Sequence, residues 1–223
     1  RAGTGALLDA VAATGREWKR FCSDAADDAW DALPAAIPSG SFTCSTNTSG
    51  GARHIQISTT AFTGHGGGLV RNFDHAEHMC LRRVKYRFSF SDPAPDASHE
   101  EPDIHGLAYF NFAGAIGLFV RPTRTGYYAL RHCNGEESAA IAMVEPDTWY
   151  EVKMKCDWTR TALGYDTLMV HVVIKGGNQI KCRSRLSCDR LPLRSVALYN
   201  SSPGVARYAG IELRYSEKTP HDR

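Results

Sequence analysis

"RVKYRFSFS", residues 83–91, sets Val84, Tyr86, Phe88 and Phe90 on one parity and Lys85, Arg87 and Ser89 on the other. A period of two belongs to an extended strand with one packed and one wet face. "WYEVKMKCDW" (149–158) repeats the pattern, with Tyr150, Val152, Met154, Cys156 and Trp158 inward and Lys153, Lys155 and Asp157 outward. Such one-sided strands mark antiparallel sheet, whereas parallel strands read as continuous apolar runs. Working outward, "RHIQIST" (53–59), "GLAYFNF" (106–112), "AIGLFVR" (115–121), "GYYALRH" (126–132), "TLMVHVVIKG" (167–176), "QIKCRS" (179–184), "SVALYN" (195–200) and "YAGIELRYS" (208–216) are strand-like too. They combine β-branched and aromatic residues with partial alternation and are parted by turn residues. About ten strands without helical patterning between them give an all-β, two-sheet antiparallel sandwich or jelly roll over residues 41–216. A polar tail, 217–223, follows.

The first forty residues have another character. "GALLDAVAATGREWKRFCSDAADDAWDAL" (5–33) is rich in Ala, Leu, Asp and basic residues, and Leu7, Val11, Trp18 and Phe21 fall near one helical stripe. Ser23 or Asp24 suits the cap of a second short helix reaching Trp30, and Pro34, Pro38 and Gly40 stop it. The expectation is a helical lead-in over 1–40, too short for a core of its own.

The 223 residues suffice to bury one sizeable core. A net charge of +2 argues against a nucleic-acid binder with a wholly basic surface. No apolar run approaches the ~20 residues of a membrane span. The start lacks the pattern of a signal peptide and an initiator Met, so the chain reads as a processed or excised piece. Seven scattered cysteines (Cys22, Cys44, Cys80, Cys133, Cys156, Cys182 and Cys188) cannot all pair, and none forms a C-x-x-C. Reduced thiols in a reducing compartment are expected, hence an intracellular, cytoplasmic protein. The triplets at Asn47 and Asn200 are the opposing, glycosylation-type signal.

Two resemblances emerge. "GAIGLFVRPTRTGYYALRHCNG", "DTWYEVKMKCDW", "TLMVHVVIKGGNQI" and "SVALYNSSPGVARYAGIELRY" follow one another as in the concanavalin A-like lectin/glucanase sandwich, in its laminin-G-like form. That resemblance covers about residues 41–216 and rests on core and turn positions. It implies fold and a binding surface rather than an activity. "GREWKRFCSDAADDAWDALP" resembles the tail of an F-box, without that motif's front half. This implies the recognition half of a ubiquitin-ligase receptor; the alternative is a helical pair packing two tryptophans on the main domain.

Catalytic readings exist on the same fold. Laminarinase-type glycosidases carry three alternating carboxylates on one strand, one as nucleophile and one as acid. "EPDIH" keeps Glu101 and Asp103 at that spacing but has His105 in third place, and Pro102 denies a ladder hydrogen bond. "DIHG" is similar to the Gln-Ile-His motif of some alginate lyases, in which His105 would be the base and arginines would neutralise a uronate. Each reading competes with a plain polar loop leading into a strand. "FDHAEH" offers His75 and His78 at a His-x-x-His spacing suited to zinc, yet no further ligand is obvious, and no cluster of oxygens for calcium is fixed either. No cofactor is therefore expected.

Basic residues gather at Arg82, Arg83, Lys85 and Arg87, and again at Lys181, Arg183, Arg185, Arg190 and Arg194. Should those strands lie near each other, their outer faces would form a cationic stripe for an acidic glycan or protein; otherwise they are solvated faces. The residues together read as a non-catalytic binding or interaction module for a glycan or a protein partner, with a place in a larger complex open to it. The alternative is a polysaccharide lyase or glycosidase. Tyr109, Tyr127 and Tyr199 would stack on sugars, and Arg121, Arg131 and Asn200 would supply hydrogen bonds.

Overall fold

The computed structural model describes residues 8–11, 17–23, 25–27, 30–32, 42–49, 52–60, 67–72, 80–92, 105–111, 114–123, 128–134, 137–160, 166–176, 179–189, 195–200 and 203–216. Within them lie sixteen strands: β1 (Leu8–Val11), β2 (Glu17–Ser23), β3 (Asp31–Ala32), β4 (Phe42–Ser49), β5 (Ala52–Thr59), β6 (Gly67–Asn72), β7 (Cys80–Phe90), β8 (His105–Asn111), β9 (Gly114–Pro122), β10 (Tyr128–Asn134), β11 (Glu137–Val144), β12 (Tyr150–Arg160), β13 (Asp166–Gly176), β14 (Gln179–Asp189), β15 (Ser195–Asn200) and β16 (Gly204–Ser216). They form two antiparallel sheets packed face to face as a jelly-roll sandwich. One has nine strands, running β1-β2-β16-β7-β12-β13-β14 with β5 and β4 beside β16; the other runs β11-β10-β9-β8-β15-β6-β3.

Alternation builds the core as expected. Val84, Tyr86, Phe88 and Phe90 of β7 are fully buried, and Tyr150, Val152 and Met154 of β12 lie beside them. In register, Tyr150 faces Phe88, Val152 faces Tyr86 and Met154 faces Val84. The rings of Phe88 and Tyr150 stack at 5.5 Å. The seven-stranded sheet answers with Leu69, Leu118, Val120, Leu130, Val196 and Leu198 in the same buried cluster.

Tyr150 also anchors the turn before its own strand. Its hydroxyl accepts the Glu145 N–H at 2.9 Å, and burial, the largest influence, raises its pKa. Gly176, opposite Tyr150 on β13, leaves room for that ring: a Cβ there would come within 2.3 Å of it.

β16 is the longest strand, and one register shift keeps both of its halves in the core. Tyr208 pairs with Phe88 and Ala209 with Arg87, and pairing then resumes at Glu212 with Lys85. Gly210, at φ 56°, sits in the skipped stretch as a β-bulge. The extra residue rephases the strand, so Ala206 and Tyr208 before it and Ile211, Leu213 and Tyr215 after it are all buried.

Among the described residues of the lead-in, Leu8–Val11, Glu17–Ser23 and Asp31–Ala32 are extended, not helical. β2 pairs with the second half of β16, Phe21 standing opposite Leu213 and Ser23 opposite Ile211. Trp30 enters the common core, and its indole N–H donates to Ser23 Oγ at 2.9 Å. The physical reason is that β5 covers only the first half of β16, through Tyr208, and leaves hydrogen-bonding groups beyond it for another strand. Pairing there outweighs a helical preference worth only tenths of a kcal/mol per residue, by the usual ~0.7 kcal/mol range of propensities. The stretch likened to an F-box tail is therefore sheet over Glu17–Ser23.

Candidate functional site

Strand pairing sorts the expected ligand-binding residues between the two faces of the seven-stranded sheet. Leu118, Val120 and Leu130 point into the core, so Phe119, Arg121, Ala129 and Arg131 belong to the outer face. One row across that face runs Ala140, Arg131, Phe119, Gly106, Tyr199 and Gly68. The next holds Cys133, Gly117, Ala108, Ala197 and Val70. On the other side, Arg121 pairs with Ala129, and Ala129 with Met143.

Glycine and alanine thus occupy most of the centre of this face, and the larger residues sit around them. Ala129, Ala197 and Val70 are buried even though they stand on the parity opposite to the core cluster. Phe119 is only 6% exposed, and the Arg121 guanidinium carbon lies 4.9 Å from its ring centroid. A cation over an aromatic face at that distance is attracted by the ring quadrupole. Arg121 and Arg131 are both half-buried and flank Phe119, one along the strand and the other across it. Met143, 52% exposed, stands on the rim beside Ala129. Such an arrangement can hold an elongated ligand against a flat floor, with two guanidinium groups giving directional, charge-assisted hydrogen bonds.

The other expected residues lie elsewhere. Tyr109 pairs with Ile116 and with buried Val196, on the core-side parity of β8. His105 pairs with Val120, which is fully buried, so it too takes that parity. Asn200 is fully buried, and its amide NH₂ donates to the carbonyls of Ile57 (3.3 Å) and Gly204 (3.1 Å). The Asn200 carbonyl accepts from the Thr59 hydroxyl at 3.2 Å. Asn200 thereby ties β15 to β5 and β16 from inside the sandwich. Tyr127, Glu101, Asp103, His75 and His78 fall outside the described residues. Among the described residues, no group of three or more His, Cys, Asp or Glu is placed to hold a metal ion. Cys44 is a free, half-buried thiol whose pKa burial pushes up to about 11.

Sequence reasoning missed Phe119 and the small-residue floor. The signal was present in "GLFVR", where Phe119 breaks the alternation between Leu118 and Val120. A large apolar residue on the wet parity of a half-buried strand is what a ligand face needs.

One corner of the sandwich carries a distinct polar contact. The Tyr128 hydroxyl donates to the Asp92 carboxylate, joining β10 to the end of β7, while its ring meets Phe90 edge-on at 5.2 Å. Burial first, and then the bond to Asp92, pushes that phenol far above its ordinary range.

No family model and no curated protein matches the chain. Among solved structures, it is similar to an endo-β-1,4-glucuronan lyase from the fungus Trichoderma reesei, at 10% identity over 86% of this chain and 94% of that one, with a TM-score of 0.51. It is also similar to an alginate lyase from a Chlorella virus, at 10% identity over 83% and 92% of the two chains, TM-score 0.47. A winged bean acidic lectin complexed with methyl-α-D-galactose aligns at 9% identity over 89% and 98%, TM-score 0.47. Identities this low show a shared fold alone, the antiparallel jelly-roll sandwich. Among the described residues no helix is long and apolar enough to cross a membrane.

Proposed function

We propose that this chain is a non-catalytic carbohydrate-binding module that holds a glycan along the outer face of the seven-stranded sheet. The observation that carries this reading is Arg121 stacked over Phe119, with Arg131 in register beside the same ring, on a floor of glycine and alanine. A face built largely of glycine and alanine admits a flat, extended ligand. The buried Phe119 ring holds the Arg121 guanidinium in place, and the two guanidiniums fix the orientation of the ligand through charge-assisted hydrogen bonds. Tyr199 holds a register position in the row of Arg131 and Phe119. His105 was the residue on which a lyase reading rested, and its place on the core-side parity supports binding without cleavage.

Calorimetric titration against oligosaccharides of neutral glucan, galactan and polyuronate tests the proposal. Binding of at least one of them is expected, with Arg121→Ala and Arg131→Ala each weakening it about tenfold, near the lower value of a hydrogen bond to a charged group. Failure of the whole panel, or variants that bind as the parent does, would overturn the assignment. So would depolymerisation of any panel member, which would make the chain an enzyme.

A further inference from the structure

The opposite side of the molecule carries an unusual distribution of charge. On the outer face of the nine-stranded sheet, Arg20 pairs with Arg214, Arg214 with Arg83, Arg83 with Lys155, Lys155 with His171, and His171 with Arg185. These six positions form one unbroken row across β2, β16, β7, β12, β13 and β14. The row spans about 24 Å, from five interstrand steps of roughly 4.8 Å.

The next row along the strands runs Glu212, Lys85, Lys153, Val173 and Arg183. A third runs Ala209, Arg87, Glu151 and Lys175. In these three rows ten Lys or Arg residues stand against two glutamates, in a chain whose totals are 26 basic and 24 acidic. The two basic stretches seen in the sequence, on β7 and β14, are thus bridged by Lys153, Lys155 and His171 of the strands between them. Lys181 falls at the β14 bulge, and Arg190 and Arg194 lie outside the described residues.

Folding by itself does not favour this row. Like charges directly opposite on neighbouring strands destabilise a sheet, and here they follow one another across central strands. Edge protection against aggregation would place charges on the outermost strands, not on β7, β12 and β16. The two glutamates relieve only part of the repulsion: Glu212 accepts from Arg214 at 2.9 Å, and Glu151 lies 2.8 Å from Lys153 and 3.5 Å from Lys85. Arg83, Lys153, Lys155 and Arg214 remain exposed.

We infer that this face is a second binding surface, for a linear polyanionic polysaccharide lying across the strands along the Arg20–Arg185 row. Charge complementarity fits a chain with regularly spaced sulfate or carboxylate groups. A nucleic acid fits less well. The Arg20–Arg185 row and the one beside it contain no Phe, Tyr or Trp to stack bases, and the sheet face has no helix to enter a groove. This surface is separate from the outer face of the seven-stranded sheet.

The test is binding to heparin as the probe, by calorimetry and by salt elution from immobilised heparin. The intact chain is expected to bind, with affinity falling steeply between about 0.05 and 0.2 M NaCl, as counterion release requires. Arg83→Glu is expected to weaken heparin binding about tenfold, on the order of a modest electrostatic steering effect. Lys155→Gln, a milder change on an exposed site, is expected to move elution the same way by a smaller step. Arg53→Glu makes an equal charge change at an exposed position of β5 outside the three rows, and is expected to shift affinity less than about twofold. Absence of heparin binding would overturn the inference. Equal losses for Arg83→Glu and Arg53→Glu, or tighter binding of single-stranded DNA than of heparin at the same salt, would overturn it as well.

Discussion

Replacing Gly210 with alanine sets two backbone effects against each other, and their magnitudes decide the outcome. Gly210 has φ 56°, and a Cβ built on it meets nothing within 4 Å, so no clash contributes. Removing glycine's freedom from the unfolded chain would stabilise the protein by about 0.4–1 kcal/mol if the native φ suited alanine. It does not suit it. The left-handed region costs an ordinary residue roughly 1–2 kcal/mol. The net expectation is a loss of about 1 kcal/mol for Gly210→Ala, a larger loss for the β-branched Gly210→Val, and a smaller one for Gly210→Asn, which tolerates that region. Urea denaturation at constant pH, followed by tryptophan fluorescence, measures all three, the midpoint moving while the slope stays fixed. An increase in midpoint for Gly210→Ala would refute the reasoning. It would mean that β16 does not need a left-handed residue to bring Tyr208 and Ile211 onto the same face.

Three further outcomes follow from the packing and the charges. Gly176→Ala is expected to cost about 1–3 kcal/mol, the usual range for overpacking, because its new methyl group would overlap the Tyr150 ring; an unchanged thermal midpoint would contradict this. Asn200→Ala is expected to cost about 2–4 kcal/mol, since it removes two buried amide hydrogen bonds to Ile57 and Gly204, and chemical denaturation checks it. The Glu151 carboxyl is held below its usual pKa, chiefly by its hydrogen bond to Lys153. A depressed carboxylate pKa stabilises the fold above the unfolded value and loses that contribution as pH falls through the folded one. The denaturation midpoint of Lys153→Met is therefore expected to fall less on acidification from pH ~6 to ~3 than that of the parent, across the ordinary carboxylate range; equal falls would contradict the pairing.

Much of the sandwich was legible because alternation is local. The parity of residues 83–91 and 149–155 passes straight into the buried cluster. At residue 210 the same rule slips: "RYAGIELRY" does not alternate through, and only the bulge restores the phase. The lead-in was misread because Trp18 and Phe21 fit a helical stripe, while the force that extends them is the unfilled half of β16, nearly two hundred residues away. Asn200 looked like a ligand donor by residue type, and its burial became visible only once β5 and β16 closed around it. Arg121 and Arg131 share a face because β9 and β10 form a hairpin, a nearby relation open to sequence reasoning. The place of Tyr109 needed the pairing of β8 with β15, which is not local. The cationic row was half visible: its arginines were on the page, and the four-strand path from β7 to β14 was not.

On the proposed reading, a glycan lies on the outer face of the seven-stranded sheet. Amide chemical-shift mapping during titration with the tightest-binding oligosaccharide of the panel addresses it directly. The largest changes are expected at Phe119, Arg121, Ala129, Arg131 and Ala197. Changes confined to β7 and β12, with those five amides unmoved, would contradict it.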